Sequence, residues 1–181
     1  MRSVSFRSRP CRAMNSRAHT LLDSSRAAAC VGPNTASPAS RAAAAIVMKK
    51  KRAEKLGITP LAIFKSFVTV GVDPAIMGIG PLPAVQKLLR KNDLSIDDID
   101  VFEVNEAFAS QAVYVQKELG IPNDKLNVNG GAIALGHPIG ASGARIVVTL
   151  LNALLTHNKT MGLAAVCHGV GGAAAIAIER V

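Results

Sequence analysis

Apolar and polar positions alternate along most of this chain with two different periods. Residues 61–72 and 99–104 are short runs rich in β-branched and aromatic side chains, and these runs predict strands. In residues 82–90, 106–119 and 139–155, apolar side chains recur about every three to four positions, which predicts amphipathic helices. The inner face predicted for the last helix consists of Ile146, Val147, Leu150, Leu151 and Leu154.

Four shorter segments complete this pattern. Residues 42–48 are apolar and predict a buried segment, and residues 49–56 predict a short charged helix that ends at Gly57. Residues 162–167 and 173–178 predict two short strands joined by a glycine turn, as in a hairpin. Because strands alternate with helices, the pattern predicts an α/β fold with a central mixed sheet and helices on its faces.

The composition indicates what fills the core. Apolar residues make up 49% of the chain but aromatic residues only 3%, so the core must be built from Ala, Val, Ile and Leu. Small side chains on facing elements favour close packing of helices on the sheet. No run of about eighteen apolar residues occurs, so we expect no membrane-spanning helix.

The positive charge is concentrated at the start of the chain. Residues 1–41 hold seven arginines and one acid, Asp23, which leaves +6 of the total net charge of +9. Residues 42–181 are nearly balanced and carry no basic stripe with interleaved aromatic residues, which a single-strand nucleic-acid binder needs. We therefore expect no nucleic-acid partner.

A change in composition and apolar periodicity near residue 42 predicts a domain boundary. Residues 1–41 are rich in Arg, Ser and Ala and lack apolar periodicity, so we expect this segment to be disordered. Its composition resembles an organellar transit peptide. A frame-shifted or mis-spliced reading of the gene explains the abrupt switch better. Mitochondrial, cytoplasmic and peroxisomal locations all stay open.

The cysteines indicate neither a disulfide framework nor a zinc site. Cys11, Cys30 and Cys167 are odd in number and are not spaced as metal ligands, so we expect no metal. A reducing compartment is the simpler assumption.

One histidine lies in a turn with glycines on both sides, at the start of the last predicted helix. It is His137, in the run Gly136-His137-Pro138-Ile139-Gly140. Pro138 suits the first turn of a helix, where its missing N–H costs nothing. An imidazole placed there is able to accept or donate a proton. The alternative is a glycine-rich turn in which the histidine has no chemical role.

Two further loops follow predicted strands. Asn105 begins the first of them, and Cys167 begins the second, which continues His168-Gly169-Val170-Gly171-Gly172. Since sites in α/β sheets gather beyond the carboxyl ends of strands, we expect the three loops to converge. Asn105 has an alternative role as a helix N-cap.

Cys167 also has two interpretations. It is either an inert buried thiol or a reactive one whose pKa the neighbouring glycine N–H groups lower. His168 follows it directly, so along a strand it faces the opposite way and is expected to be a spectator.

These motifs carry a resemblance to a known family. The chain from about residue 42 to residue 181 resembles the C-terminal half of the thiolases. Four separated motifs in the family's order and spacing support this identification. They are Met77-Gly78-Ile79-Gly80-Pro81, Asn105-Glu106-Ala107-Phe108, the block from Gly130 to Arg145, and Cys167-His168-Gly169.

The resemblance implies a Claisen condensation of acyl-CoA thioesters, or its thiolytic reverse. His137 would then activate a nucleophilic cysteine and help to form an oxyanion hole, and Asn105 would hold the water that completes this hole. Cys167 would take an α-proton from acetyl-CoA, and the N–H of Gly169 would serve a second oxyanion hole. Met77 would lie beside the acyl and pantetheine channel. A CoA thioester would be the substrate, with no tightly bound cofactor.

The sequence departs from the family in its first 41 residues. The nucleophilic cysteine of a thiolase belongs to the first half, which nothing here resembles, so we expect this chain alone to be inactive in full turnover. Ser37, in Thr35-Ala36-Ser37, is a possible remnant of a CoA-contacting serine, but Arg41 and Ala42 stand where the family has Asp-Gly. A homo-oligomer or a separate first half are the partners that the resemblance implies.

Two other functions stay open at this point. A non-catalytic half that binds acyl-CoA or dimerises is the main alternative. A thiol hydrolase with Cys167, His137 and Asn105 as its triad is the other, although the four motifs explain the same residues better. Acyl chain length and biosynthetic or degradative direction are not determined.

Overall fold

The computed structural model describes Thr20–Leu21 and residues 43–181. Ser37, Cys11, Cys30 and most of the segment 1–41 lie outside the described residues, so their interpretation stays a prediction. In chain order, the elements are β1 (Thr20–Leu21), α1 (Lys50–Lys55), β2 (Pro60–Gly71), α2 (Pro81–Lys91), β3 (Val101–Val104), α3 (Ala109–Leu119), α4 (Ala132–Leu135), α5 (Ser142–Thr156), β4 (Met161–His168) and β5 (Gly172–Arg180).

The strands form one mixed sheet in the order β1-β2-β5-β4-β3. Strand β5 is antiparallel to both β2 and β4, whereas β3 runs parallel to β4 and β1 runs parallel to β2. The predicted central mixed sheet is confirmed, and β4 and β5 form the predicted antiparallel pair. The parallel pair β3 and β4 places two carboxyl ends at one edge of the sheet.

Each face of the sheet is covered by one amphipathic helix. Helix α2 packs through Val85 and Leu88 on one face, and α5 packs through Leu150 and Leu154 on the other. Successive residues of β4 pack on opposite faces of the sheet: Leu163 packs with the residues of α2, and Ala164 packs with those of α5. This alternation follows from the pleat of a strand.

A missing side chain lets α5 approach β4 closely. A Cβ added at Gly162 would lie 2.7 Å from Cδ1 of Leu150 and 2.9 Å from Cδ1 of Leu154. We therefore expect Gly162→Ala to lower the free energy of unfolding by about 1–3 kcal/mol, the usual cost of overpacking. Urea denaturation of the purified chain measures this change.

Gly143→Ala is the matched control for this substitution. Gly143 lies within α5, and an added Cβ there meets nothing within 4 Å. The substitution should raise stability by up to about 1 kcal/mol, because alanine favours a helix over glycine. Equal effects of the two substitutions would contradict the packing argument.

Two predicted helices begin about three residues too early. The helix predicted for 106–119 begins at Ala109, because Asn105 still pairs with β4 and Phe108 is extended. The helix predicted for 139–155 begins at Ser142, because a turn at Pro138 precedes it. The N-cap interpretation of Asn105 is therefore wrong, as is the place of Pro138 in the first helical turn.

One further expectation requires correction, and one short helix was not predicted. Residues 43–48 are not a buried segment, and Val47 is 61% exposed although it lines an apolar pocket with Phe64 and Ile178. An apolar run shows which residues can be buried, but not that another element covers them. Helix α4 was not predicted, since its four residues are too short to show a period.

None of the helices in residues 43–181 has both the length and the apolar content that crossing a bilayer requires.

Candidate functional site

The site forms where β3 and β4 end side by side. The N–H of Asn105, directly after β3, donates to the carbonyl oxygen of Ala165 in β4 at 2.9 Å. Cys167 lies two residues further along β4, at the same edge of the sheet. Asn105 is fully buried and Cys167 is 5% exposed. Two of the three predicted loops therefore meet through the parallel strand pair.

The third loop reaches the same edge through a side-chain contact. Nδ2 of Asn105 lies 3.4 Å from Nε2 of His137, a residue 32 positions further along the chain. His137 is exposed whereas Asn105 is buried, so the contact itself is partly buried. The expected convergence of Asn105 and His137 is thus seen directly.

The second nitrogen of the imidazole is held by the start of α5. Nδ1 of His137 lies 2.6 Å from Oγ of Ser142, the first residue of that helix. The hydroxyl of Ser142 donates in turn to the carbonyl oxygen of Pro138 at 3.1 Å. The same carbonyl accepts the N–H groups of Ala141 and Ser142, both at 2.8 Å, so the turn is closed on itself. This turn fixes the ring of His137 relative to the helix.

Two buried ionisable side chains, Arg145 and Glu103, lie behind Asn105. Nη2 of Arg145 donates to Oδ1 of Asn105 at 3.3 Å, and Nη1 of Arg145 lies 3.9 Å from Oε2 of Glu103. Arg145 is only 4% exposed. Burial raises the pKa of Glu103 to about 8, and the repulsion from Glu106 adds to this rise, while the charge of Arg145 opposes it.

The raised pKa of Glu103 makes stability depend on pH. A carboxyl that binds its proton more tightly when folded contributes stability that is complete below its ordinary pKa of 4.5 and lost as pH rises through about 8. We expect the free energy of unfolding to fall over this window by an amount of the order of a few kcal/mol. Glu103→Gln should flatten the slope, whereas Glu118→Gln, on the exposed side of α3, should leave it. Urea titrations between the two pH limits test this; a slope unchanged in Glu103→Gln would contradict it.

The pKa of the Cys167 thiol is not the one that the reactive interpretation predicts. Burial raises the pKa of Cys167 above its ordinary value, and a backbone hydrogen bond only partly offsets this. The expectation of a lowered pKa is wrong, because removing the thiolate from water costs more than this hydrogen bond returns. His168 is exposed and Cys167 is buried, so the two residues face opposite ways as predicted.

The turn after Cys167 packs against the loop that carries Met77. Gly169–Gly171 is a short 3-10 turn, and the carbonyl oxygen of Gly171 accepts the N–H of Val72 at 2.6 Å. Gly171 has a φ of +80°, and Val170 has a φ of +66°, which strains a β-branched residue. Gly169 is exposed, so its N–H lies at an accessible part of the turn.

Met77 borders a cleft of about 370 Å³. Phe108, Gln111 and Tyr114 line the opposite wall of this cleft. Met77 is half-buried, in the 3-10 turn Pro74–Ile79 that contacts the Gly169–Gly171 turn. Met77 and Gly169 are therefore on neighbouring turns, whereas Ser37 lies outside the described residues.

Two polar residues to which the sequence assigned no role, Asn127 and Glu106, brace the first loop. The side-chain amide of Asn127 accepts the N–H of Val104 at 2.9 Å and donates to its carbonyl at 3.0 Å, as a neighbouring strand would. The carboxylate of Glu106 accepts from Asn127 at 3.1 Å and from the N–H of Ile133 in α4 at 2.9 Å. These contacts connect the end of β3, where Asn105 emerges, to the start of α4.

Sequence reasoning also missed Glu103, Ser142 and Arg145. A signal was present for two of them: Glu103 interrupts an otherwise apolar strand, and Arg145 borders the apolar face of α5. Residues 43–181 bring together no cluster of three histidine, cysteine or acidic side chains of the kind that holds a metal ion.

Comparison with known proteins identifies the family. Residues 58–180 match the family described as "Thiolase, C-terminal domain". Over 139 residues the chain is 56% identical to the acetyl-CoA acetyltransferase of Escherichia coli, a match that covers 77% of this chain and 35% of that protein. Over 143 residues it is 52% identical to the 3-ketoacyl-CoA thiolase of Marinomonas, covering 77% and 37%.

Solved structures agree with these sequence matches. The acetyl-CoA acetyltransferase of Bacillus anthracis superposes with a TM-score of 0.76 at 45% identity, over 77% of this chain and 36% of that one. Human mitochondrial 3-ketoacyl-CoA thiolase in complex with CoA gives 0.74 at 42% identity, over 79% and 37%. The chain thus spans about a third of the length of the relatives it matches. With its fold, its motifs and its sequence all matching the C-terminal domain, the chain belongs to the thiolase family.

Proposed function

We propose that residues 43–181 supply the acid–base part of an acyl-CoA acyltransferase site, for condensation of acetyl-CoA or thiolysis of a 3-ketoacyl-CoA. One observation carries the proposal: the amide of Asn105 contacts Nε2 of His137, and the backbone of Asn105 pairs with Ala165, two residues before the buried Cys167. Membership of the thiolase family supports the same chemistry. The nucleophilic thiol belongs to the first half of the family's fold.

His137 acts first in this scheme. Its Nε2 takes the proton of the nucleophilic thiol, and the resulting thiolate attacks the carbonyl carbon of an acyl-CoA. The C–S bond to CoA breaks, CoA leaves as a thiolate that takes a proton from solvent, and Nε2 keeps the proton of the nucleophile. The ring then presents an N–H at Nε2, next to the amide of Asn105. A water held by that amide and the Nε2–H together form a donor pair for a thioester oxygen that becomes negatively charged.

Cys167 acts in the second step. Its thiolate removes a proton from the α-carbon of acetyl-CoA, and the electron pair of the broken C–H bond moves into an enolate whose oxygen the donor pair stabilises. The α-carbon then attacks the acyl-thioester carbonyl, and the N–H of Gly169 stabilises the tetrahedral oxyanion. Collapse of this intermediate releases the 3-ketoacyl-CoA and expels the nucleophilic thiolate, which regains its proton from Nε2–H of His137.

The substrate is a CoA thioester, and the chemistry above requires no tightly bound cofactor. A human relative has been solved with CoA bound, and the E. coli relative is named for acetyl-CoA. Met77 lies at a cleft whose walls are mostly apolar, which suits an acyl chain or a pantetheine arm. Ser37 is a further candidate contact to CoA.

A chimaera tests this function. Residues 43–181 replace the matched segment of the E. coli acetyl-CoA acetyltransferase, which is 56% identical. We expect the chimaera to cleave acetoacetyl-CoA in the presence of free CoA, and His137→Ala to lower kcat by about 10²–10³-fold. A folded chimaera without activity, next to an active E. coli parent, would overturn the proposal.

A non-catalytic binding or dimerising half is the second candidate, and one observation favours it. Each loop around the site exposes a large apolar side chain, and Ile139 is 87% exposed while Val170 is 90% exposed. Phe108 and Ile133 are exposed in the same way. Large exposed apolar residues on the loops around one site favour an interaction surface. Sizing of the purified chain, with calorimetry against acetyl-CoA, separates this candidate from the enzyme: assembly and binding without activity in the chimaera support it.

A further inference from the structure

Arg145 is a buried cation on a helix whose other inward-facing residues are mostly apolar. It lies one residue before Ile146 on α5 and is 4% exposed, yet the acyltransferase scheme assigns it no step. Burial of a guanidinium costs several kcal/mol, in order-of-magnitude terms, unless specific partners compensate it. Its described contacts reach Asn105 and Glu103, both also buried. One of these partners contacts His137 directly.

The contact with Arg145 determines how the amide of Asn105 is turned. A guanidinium only donates hydrogen bonds, so the amide atom 3.3 Å from Nη2 must be the oxygen. The NH₂ group of Asn105 consequently points the other way, toward Nε2 of His137 at 3.4 Å. Without a donor at this place, the two ends of the amide are nearly equivalent in shape and either one can face the ring.

The orientation of the amide in turn determines the tautomer of His137. Because the NH₂ group of Asn105 donates, Nε2 must accept and the proton of the neutral ring lies on Nδ1. The other side of the ring agrees with this assignment. The carbonyl of Pro138 takes the hydroxyl proton of Ser142, so Oγ of Ser142 is free to accept from Nδ1–H at 2.6 Å.

We propose that Arg145 is a positioning residue that acts through Asn105 to keep the lone pair of His137 on Nε2. This proposal rests on the proposed function, in which Nε2 receives the proton of the nucleophilic thiol. The opposite tautomer would present an N–H to that thiol and could not receive its proton. Arg145 therefore prepares the ring for the first step without touching substrate.

Nitrogen NMR of the imidazole tests this proposal without any assay of activity. In the ¹⁵N-labelled full chain, long-range couplings distinguish a protonated from an unprotonated ring nitrogen, and His137→Gln identifies the resonances of His137. We expect Nδ1 to be protonated and Nε2 to be unprotonated at neutral pH. A ring protonated mainly on Nε2 overturns the proposal.

Three variants separate positioning from a merely structural role. Arg145→Met removes the donor at similar length, and should give a mixture of tautomers whose two nitrogen shifts approach each other. Arg145→Lys keeps one donor and should largely restore the wild-type pattern. Arg90→Met, at an exposed position of α2, is the matched control and should change nothing. An Arg145→Met ring indistinguishable from wild type overturns the role of Arg145.

A nearly isosteric variant keeps the test decisive if Arg145→Met does not fold. Asn105→Asp replaces the NH₂ group by an acceptor, so Nε2 must donate and should become protonated. An unchanged tautomer in this variant overturns the proposed link from Asn105 to the ring.

Activity of the chimaera then separates this proposal from the proposed function. Arg145→Met should lower kcat for thiolysis about tenfold to a hundredfold, the usual effect of a misoriented group, while KM stays unchanged. Rescue of kcat in Arg145→Lys should parallel rescue of the tautomer. If the chimaera is inactive but the tautomers change as expected, the proposed function fails and the positioning role stands. If the chimaera is active and Arg145→Met leaves both kcat and the tautomer unchanged, only the positioning role fails.

Discussion

Replacing Cys167 by alanine is expected to lower the rate of condensation by about 10²–10⁴-fold, the contribution of a general base. The side chain is small and buried, so Cys167→Ala removes the thiol while leaving the strand pairing of β4 with β3 and β5 intact. The chimaera with the E. coli first half provides the reaction. Its rate of acetoacetyl-CoA formation from acetyl-CoA is the measurement.

The first half-reaction is the internal control for Cys167→Ala. Transfer of the acetyl group to the nucleophilic thiol needs His137 but no α-proton abstraction, so the burst of free CoA should survive in this variant. A variant that loses both the burst and the condensation would indicate general damage to the site and contradict the assigned role.

The pH dependence adds an independent readout for the same thiol. Burial raises the pKa of Cys167 above its ordinary value of 9.0, so the thiolate fraction increases with pH through and beyond that value. Exchange of the acetyl-CoA methyl protons for deuterium should therefore become faster as pH rises, and Cys167→Ala should abolish this rise. A rate that falls with pH above neutrality would contradict a thiolate base.

Substitution of Gly171 by alanine is expected to cost the most stability. Two effects add at this position. Its φ of +80° is a left-handed conformation that costs a non-glycine residue about 1–2 kcal/mol. In addition, a Cβ would overlap the carbonyl oxygen of Val72 and lie 3.0 Å from the nitrogen of Pro74, and backbone cannot move aside as a side chain does. We expect a total loss of about 3 kcal/mol in the free energy of unfolding.

Gly120→Ala separates the two effects. Gly120 ends α3 with a φ of +67°, and an added Cβ there meets nothing within 4 Å. It should therefore cost only the strain, about 1 kcal/mol. Urea denaturation of both variants gives the difference, which is the cost of the overlap alone. Losses of equal size would contradict the close approach of the Val72 loop to the Gly169–Gly171 turn.

Much of the fold follows from local patterns in the sequence. The strand of residues 61–72 and the helix of residues 82–90 lie within one residue of β2 and α2, because hydrophobic period and flanking glycine or proline act over a few residues. The glycine turn between β4 and β5 was visible for the same reason. Helix starts were less well predicted: Ala109 and Ser142 begin their helices only after Asn105 and Pro138 have made contacts elsewhere.

By itself the sequence also determined the family, because four motifs in a fixed order carry far more information than any single residue. Tertiary structure alone decided how the candidate residues meet. The parallel pairing of β3 and β4 brings Asn105 to the edge that carries Cys167. Burial, which local sequence does not encode, reversed the expected direction of the pKa of Cys167. The tertiary structure also placed Arg145 behind Asn105. Because a guanidinium donates hydrogen bonds and cannot accept them, Arg145 sets the orientation of the Asn105 amide and, through it, the tautomer of His137.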